Sequence, residues 1–215
     1  MSVDNRFVIK RLQGLETMFV SFAQTTRMPF VECDEETFDD QVYVFADEEQ
    51  AKNWAKECGE RNFPLTTVRV DKEQMLMVYT SFHLMGANRV AFHNGAGFSY
   101  LPLDQIVALK EPEGAKGGFP GKNATLQLTM VYFLQELRRP NQDPEDPVRR
   151  KRLQEMEQEM MANLVRSQYI MAIDTSKVEG EFDPQKHSQN IQIPYVKNGD
   201  GEIYQPLFSD MWEFQ

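Results

Sequence analysis

Val42-Tyr43-Val44-Phe45-Ala46-Asp47 and Ile203-Tyr204-Gln205-Pro206-Leu207-Phe208-Ser209-Asp210 are the stretches that decide how this chain is read. Each is an apolar run closed by an aspartate able to cap a helix, with a tryptophan behind it, Trp54 in one case and Trp212 in the other. Ahead of the first stands Met28-Pro29-Phe30-Val31, and ahead of the second Tyr169-Ile170-Met171-Ala172-Ile173. Both copies follow a helical stripe of apolar residues. The correspondence predicts one supersecondary unit used twice.

Outward from the first stretch, Val8, Leu12, Leu15, Phe19 and Phe22 recur every three or four residues, which predicts an amphipathic helix from Asp4 to Ala23. Arg27 to Glu32 reads as a strand and Gln41 to Phe45 as its hairpin partner. Asp47 with Gln50 three residues on forms a capping-box pattern for a helix that ends near Gly59. Thr66, Val68 and Val70 alternate as in a strand, Glu73 to Met85 is an apolar helix, and Gly86 is its stop. Arg89 to Phe92 is a strand, His93-Asn94-Gly95 a turn, and Gly97 to Leu101 the returning strand. Pro102 to Val107 reads as a helical turn capped by Asp104.

Between Glu111 and Asn123 lie four Gly and two Pro with little apolar content, a linker composition. Thr125 to Arg139 is then a helix, and a second runs from Pro147, which suits a first helical turn, to Arg166. Its expected buried stripe is Leu153, Met156, Met160 and Leu164, with Met161 and Val165 beside it. The expected fold is α+β, with mixed β-sheets flanked by helices. It divides into a first domain at 1–110, a linker at 111–123, and a second, incomplete domain at 124–215. Matching Phe45 to Phe208 and Asp47 to Asp210 leaves copy two without the strand, helix and hairpin that complete copy one. The natural chain is therefore expected to continue past Gln215, with a homodimer or completion against copy one as the alternatives.

Composition narrows the function. Hydrophobic residues make up 41% and charged residues 26% of 215, ordinary for a globular chain. Fifteen Phe and twelve Met supply much of the core. A net charge of −10 argues against nucleic acid and anionic membrane as partners. No apolar run is long enough to span a bilayer, and the N-terminus carries no signal-peptide pattern. Cys33 and Cys58, far apart, suit a reducing cytoplasm.

No catalytic, cofactor-binding or metal-ligating residue is assigned. Arg149-Arg150-Lys151-Arg152 reads as a solvated helix face, because Glu155, Glu157 and Glu159 follow it. Asn198-Gly199-Asp200-Gly201-Glu202 lacks the ligand frame of a calcium loop and reads as a hairpin turn. His83, His93 and His187 are too dispersed for a ligand set or a nucleophile–base pair. The acidic stretch at Asp34, Glu35, Glu36, Asp39 and Asp40 is the candidate binding surface, facing an unknown protein partner. The competing expectation is an enzyme whose site assembles from dispersed residues in a cleft between the copies.

The order of elements, with Val44-Phe45-Ala46-Asp47 before a capped helix and Gly86-Ala87-Asn88-Arg89-Val90-Ala91-Phe92-His93-Asn94-Gly95 after an apolar one, resembles the N-terminal domain of the SseB family, named for enhanced serine sensitivity. The family's P-V-F-T/S strand end is matched again by Pro206-Leu207-Phe208-Ser209-Asp210. The chain departs from the family in carrying the pattern twice and in lacking the common Pro before Val44. The resemblance implies an α+β fold and a binding or regulatory role, and no catalytic residue.

Overall fold

The fold is described from a computed structural model, over residues 5–108, 123–178, 180, 183 and 191–209. It is α+β, and the two compact units each have their own sheets. The first unit holds α1 (Asn5–Gln13), β1 (Thr17–Ala23), β2 (Val31–Cys33), β3 (Asp40–Phe45), α2 (Glu48–Glu60), β4 (Leu65–Asp71), α3 (Lys72–Met85), β5 (Arg89–His93), β6 (Phe98–Pro102), α4 (Leu103–Ile106), α5 (Ala124–Leu137) and α6 (Pro147–Arg166). Thus α5 and α6, expected with a second domain, group with the first sheet.

Strand order is β4-β1-β3-β5-β6, and β2 pairs with β3 beyond the end of β1. β1 and β2 therefore share one side of β3, at Phe19↔Phe45 and Val20↔Val44 for β1 and at Val31↔Val42 for β2. The only parallel pair among these strands is β3 with β5, whose connection runs through α2, β4 and α3. One face of the sheet packs Met18, Val20, Val42, Val44, Val90 and Phe92 against α1, α3, α4 and α5. The other packs Phe30, Tyr43, Phe45 and Ala91 against α2.

Local chemistry explains most boundaries. Asp47 accepts a hydrogen bond from the Gln50 N–H at 3.1 Å, satisfying an orphan donor of α2. The reciprocal side-chain bond appears at α3, where Gln74 Oε1 accepts from the Asp71 N–H at 3.2 Å. α3 stops at Gly86, whose φ of +95° suits a residue without a Cβ. A Cβ there would stand 2.6 Å from the Ala124 carbonyl oxygen and 2.9 Å from Leu128 Cβ, so the same glycine lets α5 approach α3.

Four expectations are corrected. The helix expected over 4–23 ends at Gln13, and Thr17–Ala23 is the strand β1. β1 is central and lined by apolar side chains on both faces, so its residues give no alternation, and Phe19 and Phe22 fell by chance into helical spacing. The turn α4 begins after Pro102 and is not capped by Asp104. On α6 no residue is fully buried; Leu153, Met156 and Met160 are half-buried, while Met161, Leu164 and Val165 are exposed. A helix packed on one neighbour covers only a narrow strip.

The fourth concerns the repeat. The second unit holds β7 (Ile170–Met171) paired with β10 (Leu207–Phe208), and β8 (Val196–Lys197) paired with β9 (Ile203–Tyr204). The turn from Asn198 to Glu202 makes the expected hairpin, with Asn198 Oδ1 accepting from the N–H groups of Asp200 and Glu202 at 3.1 and 2.9 Å. Phe45 is 1% exposed between β1 and β5, whereas Phe208 is half-buried and faces Ile170 across a two-residue ladder. The two phenylalanines do not occupy matching environments, and the described strands of the second unit do not repeat the first sheet. The expected helix cap at Asp210, Trp212, His187 and nearly all of the 111–123 linker lie outside the described residues.

Candidate partner-binding site

The acidic candidates sit on the connection between β2 and β3, and its sequence dictates its shape. The Asp34 N–H donates to the Asp39 carbonyl at 2.9 Å, closing the hairpin one step beyond the last ladder pair, Cys33↔Asp40. Asp34 Oδ1 accepts from the N–H groups of Glu36 and Thr37 at 3.0 and 2.9 Å, an Asx-type turn that winds the chain helically. The Phe38 N–H donates to the Asp34 carbonyl at 2.8 Å. To rejoin β3 the chain must reverse its hand, and Phe38 does so at φ +58°. That is the left-handed region, which glycine or asparagine ordinarily fills and a bulky side chain avoids.

Arg89, at the start of β5, locks this loop from beneath. Its side chain is only 10% exposed. Nη1 donates to Asp39 Oδ2 at 2.5 Å and to Thr37 Oγ1 at 2.6 Å, and Nη2 to Asp34 Oδ2 at 2.8 Å. The guanidinium lies 4.5 Å from the centre of the Tyr100 ring. Asn88 adds a second clamp, donating to Asp39 Oδ1 at 3.0 Å and accepting from the Asp40 N–H at 2.9 Å. On the other side of the sheet end, the Tyr132 hydroxyl donates to Asp40 Oδ1 at 2.6 Å.

The five carboxylates therefore do different work. Asp34, Asp39 and Asp40 are spent on the fold, while Glu35 and Glu36 stand exposed with no side-chain partner among the described residues. The Asp34 carboxyl is held below the usual range by the N–H of Thr37 first, then by that of Glu36 and the charge of Arg89. Asp39 is held down chiefly by its hydrogen bond from Arg89. Asp40 moves the other way, because burial raises it more than Tyr132 lowers it.

Phe38 is the residue that reasoning from sequence missed. Its side chain is 77% exposed at the loop tip, between the free carboxylates and the locked ones. The signal was present as Asp34 with Thr37 three positions on, a turn that leaves Phe38 to make the reversal. An apolar ring at that position gains nothing within the chain.

Beside the loop a cleft of about 400 Å³ opens between β2 and the α5–α6 pair. Its apolar wall is Phe30, Phe63 and Met156, and its charged wall includes Glu136, Arg139 and Arg152. Glu32 borders it already engaged, accepting from the Tyr43 hydroxyl at 2.5 Å and from Arg61 at 3.1 Å. Arg139 stacks on Phe63 at 4.1 Å and stands 3.5 Å from Glu136.

Among the described residues the thiols and imidazoles do not converge. Burial raises the Cys33 thiol and the neighbouring carboxylates Asp40 and Asp34 raise it further, the reverse of what a nucleophilic thiolate needs. Cys58, on the buried face of α2, is likewise raised by burial. His83 Nε2 lies 3.3 Å from the Val107 carbonyl, and His93 packs between Phe45 and Phe98. No helix among the described residues is long and apolar enough to cross a membrane. Comparison of the chain with protein-family models, with characterised proteins and with solved structures finds no match.

Proposed function

We propose that this is a non-catalytic protein-binding or regulatory module of the SseB type, acting in the cytoplasm, and that its docking surface is the β2–β3 loop with Phe38 at its tip. The observation that carries this is an exposed phenylalanine held in a left-handed backbone conformation on a loop clamped at both ends by Arg89. Holding an L-residue there costs on the order of 1–2 kcal/mol. Strain of that kind concentrates at binding sites, where the surroundings enforce it. A pre-ordered loop loses little entropy on binding, and a buried aromatic is the usual energetic centre of a protein interface. Glu35 and Glu36 flank the ring and favour a partner whose apolar pocket has a basic rim.

The test is affinity capture from native lysate on wild type and on the E35K/E36K double variant, with captured proteins identified by mass spectrometry. Both residues are exposed and have no side-chain partner among the described residues, so the variant keeps its melting temperature within a few degrees. A partner held by wild type and lost from the variant is expected. Equal capture by both chains removes the acidic loop from the account, and turnover of a small molecule by the purified chain removes the non-catalytic reading.

A further inference from the structure

We infer that the loop of one copy docks in the cleft of a second copy, so that the chain forms a two-fold dimer in which Phe38 and the β2-side cleft are exchanged reciprocally. This rests on the reading of the loop as a docking surface. The loop offers an exposed ring flanked by two free carboxylates. The cleft, at about 400 Å³, has room for an aromatic side chain and an accessible apolar wall of Phe63 and Met156, with Phe30 buried in its lining. Its most exposed charge on the helix side is Arg152, 61% exposed and 4.0 Å from Glu136.

The cleft carries both signs, Arg139 and Arg152 against Glu32 and Glu136, so the charge match to the loop rests on Arg152. The loop carries Glu35 and Glu36, while Arg152 belongs to the cluster Arg149–Arg152 at the start of α6, the one dense basic run in a chain of net charge −10. Within that cluster Arg149 is used to bind the carbonyls of Glu136 and Leu137, and Arg150 the carbonyl of Pro144. Among the described residues Arg152 has no hydrogen bond of comparable quality, and an incoming carboxylate gives it one. The carboxylates of the cleft itself oppose this only weakly, because Glu32 is held by Arg61 and Tyr43, and Glu136 lies beside Arg139.

Symmetry supplies the remaining step. Glu35 belongs to the loop and also lines the cleft, so donor and acceptor patches adjoin on one surface. Adjoining complementary patches are what an isologous interface requires, since each copy gives its loop and receives the other's. The arrangement buries the aromatic ring that the monomer leaves in water.

Sedimentation velocity of the full 215-residue chain over 1–200 µM tests this. The expected result is a concentration-dependent dimer whose dissociation constant rises at least tenfold in F38A and rises with salt. Charge exchange gives the decisive arm. E35K/E36K alone sets lysines against Arg152, and R152E alone sets glutamates against Glu35 and Glu36, so each is monomeric. Mixed together, both contacts of the heterodimer become attractive and the dimer returns. Thermal melts of all variants within a few degrees of wild type keep the result from reporting misfolding. A wild-type monomer throughout, a dimer indifferent to F38A, or a mixture that stays monomeric overturns the inference. Loop-dependent capture of another protein by a monomeric chain would still leave the proposed function standing.

Discussion

The side-chain amide of Gln135 in α5 exchanges two hydrogen bonds with the backbone of Val31, 104 positions earlier: the Val31 N–H donates to Oε1 at 3.2 Å, and Nε2 donates to the Val31 carbonyl at 2.9 Å. The amide thus takes the place of a further strand on the outer edge of β2, the strand that leads into the docking loop. Gln135 is 5% exposed, so both partners are out of water. An open strand edge invites pairing with other chains, and this one is closed by a single side chain. Gln135→Leu keeps the size and leaves both Val31 groups unpaired, at a cost of about 2–3 kcal/mol. Urea unfolding of that variant measures it; a loss under half a kcal/mol would show that the closure is dispensable.

Arg89 sets the loop, and its removal is felt in stability and in pH dependence together. Arg89→Met is expected to destabilise by about 3 kcal/mol, the low end for breaking a buried pair, because Asp34 and Asp39 keep some contact with water. Both carboxyls have folded-state values below their unfolded ones. Their contribution is complete above the unfolded aspartate value of about 4 and is lost as pH falls towards the lowered ones. Unfolding free energy measured from pH 6 down to pH 3 should therefore fall less steeply in Arg89→Met than in wild type. Asp40 has the opposite sign, its stabilising effect being lost as pH rises, and it is common to both chains. Equal slopes would mean that Arg89 does not hold the pair.

The phenylalanines once expected to match should now differ. Phe45→Ala empties a packed position in the sheet and should cost about 3–5 kcal/mol. Phe208→Ala removes a half-buried ring on a two-residue ladder and should cost at most about 1 kcal/mol, the scale of a surface-like substitution. Equal losses on chemical denaturation would revive the repeat.

Gly86 is the point at which the end of α3 comes closest to α5, one of the two helices that wall the cleft. Gly86→Ala forces a Cβ into a left-handed backbone, which alone costs on the order of 1–2 kcal/mol, and drives it against the Ala124 carbonyl. The melting temperature should drop and exchange of α5 amides should quicken. A melting temperature within a degree of wild type would mean that α5 yields freely.

Much of the first unit was legible because its elements carry local punctuation. Asp47, Gly86 and the Asn94-Gly95 turn mark boundaries by side-chain or backbone chemistry that acts within a few residues. β1 was not legible, since a strand buried on both faces loses its period of two. The site was half legible. Asp34, Glu35, Glu36, Asp39 and Asp40 were recognisable as one acidic stretch, but their division into spent and free carboxylates depends on Arg89, 50 positions beyond Asp39, and on Tyr132, 92 beyond Asp40. Arg89 itself reads from sequence as an ordinary strand residue. The cleft wall at Arg152 depends on α6 packing with α5, which periodicity does not report.

A docking role for Phe38 requires that its ring be kept outward against the chain's own conformational preference. Urea unfolding of Phe38→Gly tests this most directly. Glycine adopts φ +58° freely but has more freedom to lose on folding, so the two effects leave a net stabilisation of about 0.5–1 kcal/mol. At a concentration where both chains sediment as monomers, a Phe38→Gly chain no more stable than wild type would show that the ring serves the fold, and would contradict its role as a docking anchor.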